Sequence, residues 1–198
     1  LAPAHEMEAP EQRRQAWAAL ASEHLNMERL EPLLLAPRQG PHPLADIPAV
    51  KGQPLPVALA SDAAFHFRYQ ETCELLEQMG MPVLRWSPLA DAPIPAEAKG
   101  LILPGGFPEQ HAAQLSGCEQ SLRSLRQFVQ HRPVYAECGG MLVLGQRLQD
   151  LDGNGHNMTG ILPFTAQRGR LHVGYRRLQA RRDSPVVQSG QQLVGHEF

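Results

Sequence analysis

Lysine is almost absent: of 18 basic residues in 198, only Lys51 and Lys99 are not arginine, and neither stands in a G-x-x-x-x-G-K-[ST] pattern. Phosphate binding through a P-loop is therefore excluded for these residues. Cysteine is equally scarce, with Cys73, Cys118 and Cys138 forming no C-x-x-C pair. An odd count without a disulfide framework fits a reducing compartment, where thiols stay free and one of them can be a nucleophile. No His/Cys/Asp cluster has metal-ligand spacing, so no metal site is expected. Long apolar runs are missing too. Stretches such as Leu33-Leu34-Leu35-Ala36 fall far short of the roughly 20 residues of a membrane span. No basic segment leads into an apolar one in the manner of a signal peptide, and a cytoplasmic protein is expected. Nor is there an excess of charge of one sign: 18 − 20 leaves −2, which gives no electrostatic reason to expect a nucleic-acid partner. The tightest arginine cluster, Arg176, Arg177, Arg181 and Arg182, lacks the interleaved aromatics of a stacking platform.

What is present is a change of texture along the chain. Residues 10–30 read as one helix, with Trp17, Leu20, His24 and Met27 recurring at spacings of three and four and Pro32 ending it. Seven prolines follow between 32 and 56. Proline fixes φ and removes a donor, so residues 32–56 read as a linker. From residue 57 short apolar strands alternate with helices. Strands are expected at 57–60, 83–86, 100–103 and 133–136. Helices are expected to start at Ser61-Asp62 and to cover 71–79, 109–115, 119–131 and 139–148. Extended runs at 160–164, 171–178 and 192–195 mark a strand-rich tail. This alternation predicts an α/β fold, an open and mostly parallel sheet with helices on both faces.

In such sheets chemistry sits at the carboxyl ends of the strands. Three turns fall there: residues 61–65, 104–109 and 137–140. Cys138 follows the fourth strand directly and opens a helix, the placement of a nucleophile elbow, here carrying sulfur. Helix-start amides favour a thiolate and can face an oxyanion, which singles out the Gly139 N–H. Gly139 and Gly140 are expected to clear the approach of a substrate carbonyl. Gly105 and Gly106, at the end of the neighbouring strand, are candidates for the second oxyanion donor. A buried structural cysteine is the commoner fate of this residue type, and Cys73 and Cys118 are read that way. His66, His111, His131 and His156 are read as surface residues. His172 and His196 lie in the tail, from which a base could come.

Five motifs occur in order: Asp62-Ala-Ala-Phe65, Leu103-Pro-Gly-Gly-Phe-Pro-Glu109, Tyr135-Ala-Glu-Cys-Gly-Gly140, Val173-Gly-Tyr-Arg176 and Gly195-His-Glu-Phe198. Together they resemble the glutamine amidotransferase domain of the cobyrinic acid a,c-diamide synthases, from about Val57 to Phe198. Residues 1–31 more weakly resemble the last helix of that family's ATP-dependent synthetase domain. The resemblance implies a class I, flavodoxin-like glutaminase in which Cys138 attacks the side-chain amide of L-glutamine. Gly139 and the Pro-Gly-Gly loop would form the oxyanion hole. Ammonia would pass to a synthetase domain that uses ATP and Mg²⁺ to amidate the a and c carboxylates of a corrinoid, cobyrinic or hydrogenobyrinic acid. A related tetrapyrrole diamide synthase would look much the same.

Two positions depart from the family. Phe107 stands where tyrosine is common. The activating histidine is expected directly after Phe198, so these residues read as a glutaminase cut one residue short of its base. His196 is an odd number of strand positions from that point and should face the other way. Two other classes share parts of the pattern. Cysteine hydrolases and stress proteins with this elbow commonly carry His after the cysteine, where Gly139 stands here, and a binding domain with a silent site would keep the turns alone.

Overall fold

In the computed structural model, residues 10–34, 52–170, 172–184 and 187–197 are described. Most of the proline-rich stretch read as a linker lies outside them. The N-terminal segment is two helices, α1 (Pro10–His24) and α2 (Met27–Leu30), rather than the single helix expected over 10–30. The break falls at Leu25–Asn26, because the Asn26 side chain accepts from the Arg29 N–H (3.0 Å) and caps a new turn. No residue of α1 is buried, and Trp17 and Leu20 are exposed.

The centre is a four-stranded parallel sheet of β1 (Val57–Ala60), β2 (Val83–Trp86), β3 (Gly100–Leu103) and β4 (Val134–Ala136), in the order β2-β1-β3-β4. That is the flavodoxin-like order, with its switch point between β1 and β3. The expected fold class therefore holds. β1 is buried from Ala58 to Ala60, as a strand covered on both faces must be. Helix α3 (Gln70–Gln78) connects β1 to β2. Helices α4 (Ala112–Gly117) and α5 (Glu119–Phe128) connect β3 to β4. The β1-to-β2 and β3-to-β4 crossovers run in opposite directions along the sheet, so right-handed connections put them on opposite faces. Leu101, Leu103, Leu115, Leu122, Leu125 and Phe128 form much of the core. Ser121, on α5, is buried and stays satisfied, its hydroxyl shared between the carbonyls of Pro88 (2.9 Å) and Ala92 (2.8 Å).

Three expected elements come out differently. Ser61–Asp62 starts no helix. The Asp62 carboxylate instead accepts from Ala64 N (3.0 Å), Ser87 Oγ (3.0 Å) and Leu89 N (2.9 Å), tying the ends of β1 and β2 together. The stretch at 109–115 is a 3-10 turn, Pro108–His111, followed by α4. The helix expected over 139–148 stops at Leu142, giving α6 (Gly139–Leu142). The carbonyls that would have continued it are taken elsewhere: Val143 by Thr159 N and Oγ1, Leu144 by Leu162 N, and Gly145 by Gly160 N. A small sheet replaces the missing turns, with β5 (Arg147–Gln149) antiparallel to β6 (Gly155–Asn157) and parallel to β7 (Thr165–Ala166). Residues 160–164 are therefore not a strand. The tail is an antiparallel hairpin of β8 (Gly174–Gln179) and β9 (Gln192–Glu197).

Candidate active site

The backbone of Cys138 has φ 47° and ψ −126°. Among the described residues only Asp91 shares a positive φ without being glycine. A side chain in this region costs about 1–3 kcal/mol and persists only where surrounding structure enforces it. Here the enforcement is visible on both sides. Glu137 N continues the β4 ladder to Leu103 O (3.1 Å), and Gly140 N immediately turns back to Glu137 O (2.8 Å). Only Glu137 and Cys138 separate strand from helix, and Cys138 stands exposed at the carboxyl edge of the sheet. Cys73 and Cys118 are buried. Burial, then the negative charge of Asp91, pushes the Cys118 thiol above its usual range, leaving Cys138 as the accessible sulfur.

The glycines seat neighbouring backbone, beyond the expectation that they clear a substrate path. A Cβ on Gly139 would lie 2.5 Å from Gly106 O, and one on Gly140 would lie 2.2 Å from Leu103 O. A Cβ on Gly106 would lie 2.1 Å from Ala64 O. These residues let three turns stack backbone on backbone, locking the elbow against the loops after β3 and β1. Gly105 alone borders the thiol: its Cβ would sit 3.4 Å from Cys138 Sγ. The Gly139 N–H has no preceding carbonyl within α6, but α6 is a single turn. Any electrostatic help is therefore from local amides rather than from a long helix dipole.

Cys138 lies at the border of two depressions. The larger, about 620 Å³, is walled by Gly106, Phe107, Glu109, Asp150 and Arg168. Asp150 accepts from His156 Nε2 (2.7 Å), from Asn154 N and Nδ2 and from Asp152 N. The His156 contact first, then these further donors, holds its carboxyl down at about 2. The smaller depression, about 430 Å³, is lined by His66, Phe67, Tyr69, Gly105 and Glu137. The Tyr135 hydroxyl donates to Glu137 Oε2 (3.0 Å), and burial together with this carboxylate raises the Tyr135 phenol.

Two histidines read as surface residues, His66 and His156, are half-buried and belong to the surroundings of the site. His66 Nδ1 is 2.8 Å from Ala63 O, and its ring stacks near Phe67 and Phe107 at 4.4 and 5.5 Å. His196 is exposed in β9 opposite Tyr175, with ring centroids 5.3 Å apart. It does not line either depression beside Cys138. Among the described residues no group of three or more His, Cys, Asp and Glu is placed to hold a metal, and no helix is long and apolar enough to cross a membrane. Sequence reasoning missed the walls contributed by Asp150 and Arg168. The Asp152-Gly153 pair, a hairpin-turn signature, was the signal available for the β5–β6 hairpin that carries Asp150.

A flavodoxin-like sheet with a strained cysteine elbow at its carboxyl edge and glycine turns packed around it is the arrangement of a class I amidotransferase domain. Comparison with known proteins agrees. Residues 56–198 match the CobB/CobQ-like glutamine amidotransferase domain, and the chain belongs to that family. Among curated relatives, a cobyrinate a,c-diamide synthase of Synechococcus is 42% identical over 146 residues, 73% of this chain and 32% of the relative. A hydrogenobyrinate a,c-diamide synthase of Rhodobacter capsulatus is 38% identical over 200 residues, 100% of this chain and 45% of the relative. A cobyrinate a,c-diamide synthase of Gloeobacter violaceus is 38% identical over 205 residues, 100% of this chain and 44% of the relative. The chain thus spans less than half the length of these relatives.

Proposed function

We propose that this domain hydrolyses L-glutamine to supply ammonia for ATP-dependent amidation of the a and c carboxylates of cobyrinic or hydrogenobyrinic acid in cobalamin biosynthesis, in the cytoplasm. The observation that carries the reading is the Cys138 elbow held between the Gly105–Gly106 turn and Gly139 inside a matched glutamine amidotransferase domain. In this reading the Cys138 sulfur attacks the side-chain carbonyl carbon, a C–S bond forms, and the carbonyl oxygen becomes an oxyanion. The Gly139 amide and the amides of the Gly105–Gly106 turn receive that charge, an arrangement typically worth 10²–10³ in rate per donor. The C–N bond then breaks, the nitrogen leaves as ammonia with the proton that the thiol gave up, and water cleaves the thioester to glutamate and free thiol. ATP and Mg²⁺ belong to a synthetase half with which this domain works, and no step at Cys138 passes through them.

A glutamine-analogue electrophile tests the reading. Mass spectrometry is expected to find the adduct on Cys138, with Cys73 and Cys118 labelled only after denaturation, and excess glutamine should protect. Labelling that ignores Cys138, or that glutamine does not slow, rejects glutaminase chemistry in favour of a binding domain.

A further inference from the structure

We infer that Phe67 and Phe107 form an aromatic partition beside Cys138, with glutamine bound on the Phe107 side and ammonia leaving on the Phe67 side. This rests on the glutaminase reading and assigns directions within it. Phe107 walls the larger cleft and Phe67 the smaller depression, and Cys138 borders both. The two rings meet edge to face with centroids 5.0 Å apart and planes at 73°. The His66 ring lies against both, with centroids 4.4 Å from Phe67 and 5.5 Å from Phe107, and is held by its contact with the Ala63 carbonyl. Phe67 N donates to Gly105 O (3.0 Å), so the partition is tied to the turn that borders the thiol.

Stereochemistry does the rest. A tetrahedral carbon on Cys138 Sγ has three other substituents. The oxyanion points to the turn amides. The glutamine chain needs the larger space, whose wall carries both carboxylates (Glu109, Asp150) and a cation (Arg168) suited to a zwitterion. The nitrogen is left facing the smaller depression. The charged and titratable groups on that side are His66, Arg68, Tyr69 and Glu137.

The experiment uses the domain joined to its synthetase half and measures glutamine consumed per amide formed. Phe67→Ala and the milder Phe67→Leu are expected to raise that ratio by about twofold or more, as an opened site leaks its product. Amide formation from added ammonium salt, which bypasses Cys138, should stay unchanged. An unchanged ratio in either folded variant overturns the partition. A several-fold rise in KM for glutamine overturns the assignment of sides, and an equal loss of ammonia-driven synthesis shows a structural role instead. Cys138→Ser in the same enzyme separates the two readings: if glutamine-driven synthesis survives it, the glutaminase reading itself fails, whatever Phe67 does.

Discussion

Gly139→Ala is a sharp test of how the site is built. The added methyl would lie 2.5 Å from Gly106 O and 2.7 Å from Pro108 Cδ. Both neighbours are rigid: one is backbone, the other a proline ring on a buried residue. Carbon and carbonyl oxygen settle at about 3.3 Å, so the elbow and the loop after β3 must part by roughly 0.8 Å, the difference between 3.3 and 2.5 Å. Overpacking of this kind costs about 1–3 kcal/mol. The same displacement separates the Gly139 amide from the amides of the Gly105–Gly106 turn. A misplacement near 1 Å costs on the order of 10²-fold in rate. Gly117→Ala is the matched control: a Cβ there meets nothing within 4 Å, and the change should stabilise α4 by about 0.4–1 kcal/mol through the unfolded state. Thermal unfolding reads the stability, and the rate of electrophile capture by Cys138 reads the site. If Gly139→Ala melts with wild-type protein and is captured at the wild-type rate, the two turns are not interlocked and the account of the glycines is wrong.

Two further outcomes are open to direct measurement. The Asp150 carboxyl is held at about 2, below its usual 3.8, chiefly by His156; a depressed carboxylate stabilises the fold above its unfolded value and loses that stabilisation as pH falls through its folded one. Acid unfolding of wild-type protein should therefore show a contribution lost between about pH 4 and pH 2 that Asp150→Asn removes, and an NMR titration placing Asp150 near 3.8 would refute it. Separately, Cys138→Ala should lower glutamine hydrolysis to the uncatalysed rate; an unchanged rate would mean that the nucleophile lies elsewhere.

The four parallel strands were legible because each is a short, largely apolar run closed by a turn signal. The elbow was legible for the same reason: Cys138 follows a strand and precedes two glycines. What those glycines do was not legible, since close approach between turns from different strands is a property of the assembled sheet. Clearing a substrate and seating a neighbouring backbone ask for the same residue, and only the 2.1–2.5 Å approaches of Ala64 O, Leu103 O and Gly106 O separate them. The early end of α6 was hidden similarly. Residues 139–148 hold nothing that forbids a helix, but Thr159, Gly160 and Leu162 compete for the carbonyls of Val143, Gly145 and Leu144 from 15 to 18 positions away. Tertiary hydrogen bonds outbid local propensity there. The consequence reaches the site, because stopping the helix frees residues 147–168 to fold back as the wall carrying Asp150 and Arg168. The cysteine that sequence places at a strand end thus acquires the far wall of its larger cleft through contacts made 15 to 18 positions along the chain.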